Sequence, residues 1–424
     1  MKILIRKKTL CEYFIALAVI LDCNSVWNNL DWSRSWFQYL LLTMLGLAVV
    51  GYIISNNRLP RNALVFCIVI PIYFIFYYLI NGNSILKTTV NIMLVSLLLC
   101  LYFVSKSYDD TAESLLIAFK NIMLCIAVIS LFFWITGSVL EILQPTGQHL
   151  TNWTGNNNQT VIKSYYGVYY SYQNISFFDK LYIVRNIAIF NEAPMSSVCF
   201  SMGLMIELLC CEHFKKRNCI VFIIAILSTF STTGYIIATV VCVYKYIRSK
   251  SQYSILKCLK ILLIPVLFCV ALIVAITLVQ EKLSTYSGIA RSDDFISGAR
   301  AWLLHPVFGD GIGSLDAMSL VRPSWRKSAE GFNSGLMQLL VQGGIYLTLP
   351  YIVILMNGIR KSVKSRNYDR FIFVGLFCLI FAITVISFNY LTLMILLFLA
   401  TDCKSYEERI YSNEGRNYYI SRSL

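Results

Sequence analysis

Apolar runs of about twenty residues recur along this chain, and no other feature constrains its folding as much. A helix needs roughly 20 predominantly apolar residues to cross the hydrocarbon core of a bilayer. Runs of that kind occupy about 10–26, 36–54, 63–80, 86–104, 115–136, 193–212, 260–280 and 335–357. Two more, 219–244 and 371–400, do not fit one crossing each. The first is interrupted at Ser228-Thr229-Phe230-Ser231-Thr232-Thr233-Gly234 and the second near Ser387-Phe388-Asn389. Each reads as one long tilted helix or as a hairpin of two short crossings. Composition agrees with a membrane protein: of 424 residues 57% are hydrophobic and only 14% charged, where soluble domains average about 25% charged. Low charge and scarce proline also exclude a disordered chain.

The basic residues decide between the two topologies, because Lys and Arg accumulate in cytoplasmic loops. With both interrupted runs as hairpins there are 12 crossings with both ends cytoplasmic, and 25 of the 36 Lys and Arg residues fall inside. Single crossings would instead turn Lys245, Arg248, Lys250, Lys257 and Lys260 outward. The hairpin topology is therefore expected. It accounts for the formal charge of +14 as an orientation signal, so nucleic acid is not expected as a partner. Lys2, Arg6, Lys7 and Lys8 precede an apolar run that lacks a small-residue cleavage site, which reads as a first crossing rather than a removed signal peptide.

The expected fold is all-α: a polytopic membrane protein of about 12 transmembrane helices with two long extracytoplasmic loops containing short interfacial helices. The organisation follows as a five-helix membrane region (1–136), a first loop (137–192), central helices (193–280), a second loop (281–334), and C-terminal helices with a cytoplasmic tail (335–424). Loops this long tend to be functional. The 14 cysteines lie in or beside apolar runs, away from both loops, and read as small apolar side chains. Only three histidines occur, His149, His213 and His305, and no metal spacing is present.

The first loop carries an aromatic run, Tyr165, Tyr166, Tyr169, Tyr170, Tyr172, Phe177, Phe178 and Tyr182. Rings with polar tips suit the membrane–water boundary; the alternative is a sugar platform, with Tyr169 and Tyr172 as substrate contacts. The loop ends in Arg185-Asn186-Ile187-Ala188-Ile189-Phe190-Asn191-Glu192-Ala193-Pro194, an apolar stretch between charges that is too short to span and would fit a re-entrant segment. In the second loop Phe295, Ile296, Ala299, Trp302 and Leu303 recur at helical spacing, as in an amphipathic helix lying in the interface, with Ser292 or Asp293 as its N-cap. A glycine-rich turn follows, His305-Pro306-Val307-Phe308-Gly309-Asp310-Gly311-Ile312-Gly313; no strand precedes it as a nucleotide loop would require, but its glycines permit backbone N–H groups to approach a phosphate.

Arg291, followed fifteen residues later by Pro306 and then by Gly309 and Gly311, resembles the R-x14-P-x-x-G-x-G signature of bacterial O-antigen polymerases and ligases. The segment from Arg185 to Pro194 resembles that family's R-x-x-x-x-F-x-E-x-P-like element, and Asn333 to Gly344 its H-N-x-x-L-x-x-L-x-x-x-G element. Gly234 after a Ser/Thr run matches its short hairpin, so the resemblance covers roughly 180–360. Ligases carry a histidine before the asparagine, where this chain has Phe332. That departure points away from ligase and towards polymerase.

The resemblance implies a glycosyltransferase of the bacterial inner membrane, acting at the outer face without metal or cofactor on a polyprenyl-diphosphate-linked oligosaccharide. A chain-length regulator and a flippase would be its partners beside the lipid bilayer. The leaving group would be a lipid diphosphate, and arginine forks bind such oxygens bidentately and stay charged. Arg185 and Arg291 are the expected clamp, with Arg300 third and Asn333 a further substrate contact; the alternative for the arginines is interfacial anchoring. Glu192, Asp293, Asp310 and Glu330 are the candidates for general base, with Glu192 preferred as neighbour of the segment after Arg185. Glu207, inside an apolar run, reads as an interhelical hydrogen-bond partner. The rival activities are a ligase transferring glycan to lipid A core or protein, and a lipid-linked oligosaccharide flippase.

Overall fold

The computed structural model describes residues 7–56, 62–106, 113–151, 160–177, 181–248, 286–326 and 331–401. Helices dominate: α1 (Lys7–Asp22), α2 (Phe37–Asn56), α3 (Asn62–Ile80), α4 (Leu86–Lys106), α5 (Ser114–Phe133), α6 (Ala193–Leu209), α7 (Lys216–Ser228), α8 (Thr232–Arg248), α9 (Tyr286–Leu304), α10 (Asp316–Val321), α11 (Gly335–Lys364), α12 (Tyr368–Ile383) and α13 (Tyr390–Ala400). Among the described residues five, namely α2, α3, α4, α5 with the π turn that continues it, and α11, are long and apolar enough to cross a membrane. The shorter α6 and α13 are apolar too. Both interrupted runs are split, α7 from α8 and α12 from α13, at the polar clusters around Thr229 and Ser387. The expected crossing at 260–280, the polar segment 152–159 and Glu330 lie outside the described residues.

Side-chain placement explains the order of layers. Nearly every residue of α6 is buried, as in a helix that is apolar all round and occupies the centre of a bundle. Gly234 lets α8 approach it closely, since a Cβ there would lie 1.9 Å from Ser197 Oγ. By contrast α3 exposes Leu64, Val65, Ile68, Ile72, Ile75 and Leu79, the pattern of a helix facing lipid. Proline interrupts the backbone ladder inside α3 at Pro71 and inside α11 at Pro350.

The first loop departs from the expected interfacial helices. Its described part forms a three-stranded antiparallel sheet, β1 (Gly147–Thr151), β2 (Thr160–Tyr165) and β3 (Tyr169–Ser171), and a hairpin of β4 (Asn174–Phe177) with β5 (Leu181–Val184). Lys163 pairs with Ser171 and Tyr165 with Tyr169 across β2 and β3, and Ile175 pairs with Ile183 in the hairpin. The reason is a two-residue alternation: Val161 and Lys163 are exposed while Ile162 and Ser164 are buried. The fold is thus mostly helical with a small β cap, not wholly α.

In the second loop α9 forms as expected, but it begins at Tyr286, so neither Ser292 nor Asp293 caps it. Its packed face is small and polar, Ala290, Asp294, Ser297, Gly298 and Ala301, while Ile289, Phe295, Ile296 and Leu303 point outward. The glycine-rich turn docks backbone to backbone against a break in α11. Gly344 has φ +58°, Asp310 N donates to Val341 O (2.7 Å), Gly311 N to Gln342 O (3.0 Å) and Tyr346 N to Val307 O (2.9 Å). A Cβ on Gly309 would meet the Gln342 carbonyl at 2.6 Å. These glycines therefore serve helix packing, and the N–H groups of Gly309, Asp310, Gly311 and Ile312, expected to approach a phosphate, are already engaged.

Candidate active site

The segment 185–192 is an irregular strap with no regular secondary structure until α6 begins. Such backbone survives in a bundle only when its polar groups are satisfied internally. Asn186 does much of this: its main-chain N–H reaches Ser228 O (3.0 Å), and its side chain reaches Ser228 Oγ (3.0 Å), Ser130 Oγ (3.2 Å) and Ala188 N (3.0 Å). Asn191 ties the other end to the α1–α2 connection through Asn24 O (3.0 Å) and Ser25 O (2.9 Å). Ile187, Ala188, Ile189 and Phe190 are buried between these anchors. The strap fixes a charged residue at each end.

Arg185 donates from Nε to Thr229 O (2.9 Å) and from Nη2 to Phe230 O (3.2 Å), at the turn between α7 and α8. The Ser/Thr interruption is thus the arginine's seat. Glu192 occupies the N-cap position of α6 in extended backbone, and its side chain makes no cap hydrogen bond. Gln173 supplies that function instead, accepting from Ala193 N (2.9 Å). Arg291, one turn before Asp294 on α9, enters the same locality: Glu192 and Arg291 act on one another electrostatically, and Glu192 acts likewise on Arg185. Residues of both long loops therefore lie within electrostatic reach of one another. Glu192 forms no ion pair within 4.0 Å with any described residue, and neither its carboxylate nor the Arg291 guanidinium has a described hydrogen bond.

Burial pushes Glu192 above the ordinary glutamate value, against the opposing pull of Arg291 and then Arg185. Both arginines are lowered by burial, with Glu192 the largest effect in the other direction. Tyr172 stands beside them; burial first and the Glu192 charge second raise its phenol. Its hydroxyl donates to Asn191 O and accepts from Gln173 Nε2 (3.1 Å), so it braces the strap while facing the charges.

The other expected residues fall elsewhere. Tyr169 is buried, stacked on Phe133 with ring centroids 6.3 Å apart and its hydroxyl 3.0 Å from Ser138 Oγ, so it belongs to the packing of the β cap. Arg300 is exposed on the outward side of α9, away from the packed face that carries Asp294. Asn333 uses its main-chain N–H on the Asp294 carboxylate at the entry to α11. Asp310 caps α10 through Ala317 N (2.9 Å) and holds Ser314 Oγ (2.6 Å). Glu207 bridges helices as read from its setting, pairing with Lys120 Nζ (2.8 Å) and accepting from Asn218 Nδ2 (3.2 Å).

Sequence reasoning missed a buried charge network behind Arg291. Arg326, only 1% exposed, pairs with Asp293 (2.7 Å) and with Asp294, and Asp294 in turn holds Asn333. Asp293 is thereby a structural ion-pair partner rather than a cap. The network locks α9 to the start of α11 and so sets where Arg291 stands. The one signal available was the pair of adjacent carboxylates on the packed side of a helix. Set against protein-family models, curated proteins and solved structures, the chain matches none.

Proposed function

We propose that this protein polymerises polyprenyl-diphosphate-linked oligosaccharide repeat units at the outer face of the bacterial inner membrane. The observation that carries the reading is the convergence of Arg185, Glu192 and Arg291 from two separate loops, with the Glu192 carboxylate and the Arg291 guanidinium unspent on other described residues. The acceptor's sugar hydroxyl attacks the anomeric carbon of the donor glycan, and Glu192 takes the proton. The bond from that carbon to the diphosphate oxygen breaks, and the electron pair leaves on the diphosphate. Arg185 and Arg291 neutralise the charge that builds there, which is the place where fixed cations lower a barrier most. A carboxylate raised by burial is a stronger base than one in water, and the two arginines pull in favour of its ionised form.

The test is polymer length in cells and turnover of a purified lipid-linked repeat. Arg185→Ala and Arg291→Ala abolish polymer while the protein still inserts, leaving single repeat units at the surface. Wild-type chain lengths in both variants would remove the diphosphate clamp. A gene deletion that leaves long chains on the lipid carrier would instead mark a ligase, and one that leaves no glycan outside would mark a flippase.

A further inference from the structure

A concave site lies at the far end of α9. A cavity of about 440 Å³ is lined by Ile80 at the end of α3, by Asn81, Gly82 and Asn83 of the α3–α4 turn, by Leu304 at the end of α9 and by residues 305–310 after it. That volume falls within the roughly 300–1,000 Å³ of small-ligand sites. Its backbone is tied down on both sides. Asn81 Nδ2 donates to Phe308 O (3.0 Å) and Gly309 O (3.1 Å), and Ile85 N donates to Ile312 O (2.9 Å). A Cβ on Gly311 would come within 2.8 Å of Ser84 N, so the two turns are seated backbone on backbone. A pocket held this way loses little freedom when it is filled.

The chemistry of the lining selects the ligand. Among the described residues no Lys or Arg borders the cavity, and Asp310 contributes a carboxylate already engaged by Ser314 and Ala317. An anionic ligand would have no counter-charge there. The Asn83 and His305 side chains are exposed and have no hydrogen-bond partner among the described residues. Between them an amide and an imidazole offer both donors and acceptors, the mixture that hydroxyl groups need. Ile80, Leu304 and Val307 border them with apolar surface, which suits the apolar face of a sugar ring. Arg291 and Leu304 lie on one helix, so at 1.5 Å per residue the cavity is roughly 20 Å from the charged centre.

We propose that this cavity is a neutral saccharide subsite which holds the growing glycan several sugars away from its lipid-linked end. The assignment of the growing chain as occupant rests on the polymerase reading above; saccharide binding itself does not. Retention at the subsite keeps the chain on the protein between transfers and so sets polymer length, while bond formation stays with Arg185, Glu192 and Arg291.

The probe is a lipid-free oligosaccharide of two or more repeat units, released from the cell's own surface polysaccharide. It is added to the full-length protein in nanodiscs and followed by saturation-transfer NMR. Wild type and Arg291→Ala both bind it, and the Asn83→Ala/His305→Ala double variant binds about tenfold more weakly, as expected for two lost hydrogen bonds. In cells the double variant makes shorter chains with the first linkage formed at the wild-type rate. Equal affinity in wild type and the double variant, or no binding to wild type, overturns the subsite. Loss of binding in Arg291→Ala alone overturns it as well, by moving the sugar to the charged centre. Saccharide binding that depends on Asn83 and His305, together with full-length polymer from Arg291→Ala, keeps the subsite and removes the polymerase chemistry instead.

Discussion

Glu192 shows how opposing effects on one carboxylate decide its chemistry. Burial favours the neutral acid, while Arg291 and Arg185 favour the anion, and burial prevails. The folded-state value therefore lies above the unfolded one of 4.5. A group shifted in that direction contributes stability that is complete below the unfolded value and is lost as pH rises through the folded value. Glu192→Gln, which stays neutral, escapes the loss. Thermal unfolding of the two proteins in one detergent should give equal melting temperatures near pH 4, and the Gln variant should gain a lead as pH rises from 4.5 through the folded value and hold it above that. A constant gap across that range would mean that the carboxylate is not buried. The same shift places the acid limb of activity above 4.5 in wild type, because only the ionised form accepts a proton.

At the scale of elements, the glycines at the junction of the second loop with α11 carry more of the fold than their size suggests. Gly344 combines φ +58° with a Cβ position 2.4 Å from Val307 O, so a side chain there is strained and crowded by backbone that cannot yield. Gly344→Ala should lose about 2–3 kcal/mol, adding left-handed strain to overpacking. Gly375, helical in α12 with open space for 4 Å around the place a Cβ would take, serves as the control: its alanine variant should melt at or above wild type. Equal losses in both would mean that the docked turn is not where stability resides. Helix positions were legible in the sequence because apolar length is a local property, and the breaks at Thr229 and Ser387 because Ser, Thr and Asn interrupt that length visibly. The β cap was written in the alternation of Val161, Ile162, Lys163 and Ser164, but the density of tyrosines around it read as a membrane boundary. The site was half legible. Arg185, Glu192 and Arg291 stand in recognisable segments, whereas Arg326 meets Asp293 and Asp294 from a distant part of the second loop and leaves no periodic trace.

Across the whole molecule the connecting segments sort into two ends. At one end the α1–α2 connection meets the strap through Asn191, the α7–α8 turn meets it through Arg185, and the α3–α4 turn meets the glycine-rich turn. Asp22 at the end of α1 accepts from Tyr390 N (2.8 Å) at the start of α13, and Ser334 reaches Ala382 O (2.6 Å) there too. At the opposite end Lys120 pairs with Glu207, Lys245 with Asp369 (2.8 Å), and Lys8 donates to Asn56 (2.6 Å). These three lysines lie at the end away from the strap, as Lys87 and Lys163 do not, and such an excess is expected when that end faces the cytoplasm. Single cysteines test the orientation directly, with the unsubstituted chain as baseline for its own thiols. Tyr182→Cys, at a position 72% exposed on the β cap, and Arg300→Cys on α9 should react with a membrane-impermeant maleimide in intact cells. Lys364→Cys, at the exposed end of α11, should react only after the membrane is opened. Protection of Tyr182→Cys and Arg300→Cys in intact cells, with labelling on permeabilisation, would put Arg185, Glu192 and Arg291 on the cytoplasmic side and leave them no lipid-linked glycan to act on at the outer face.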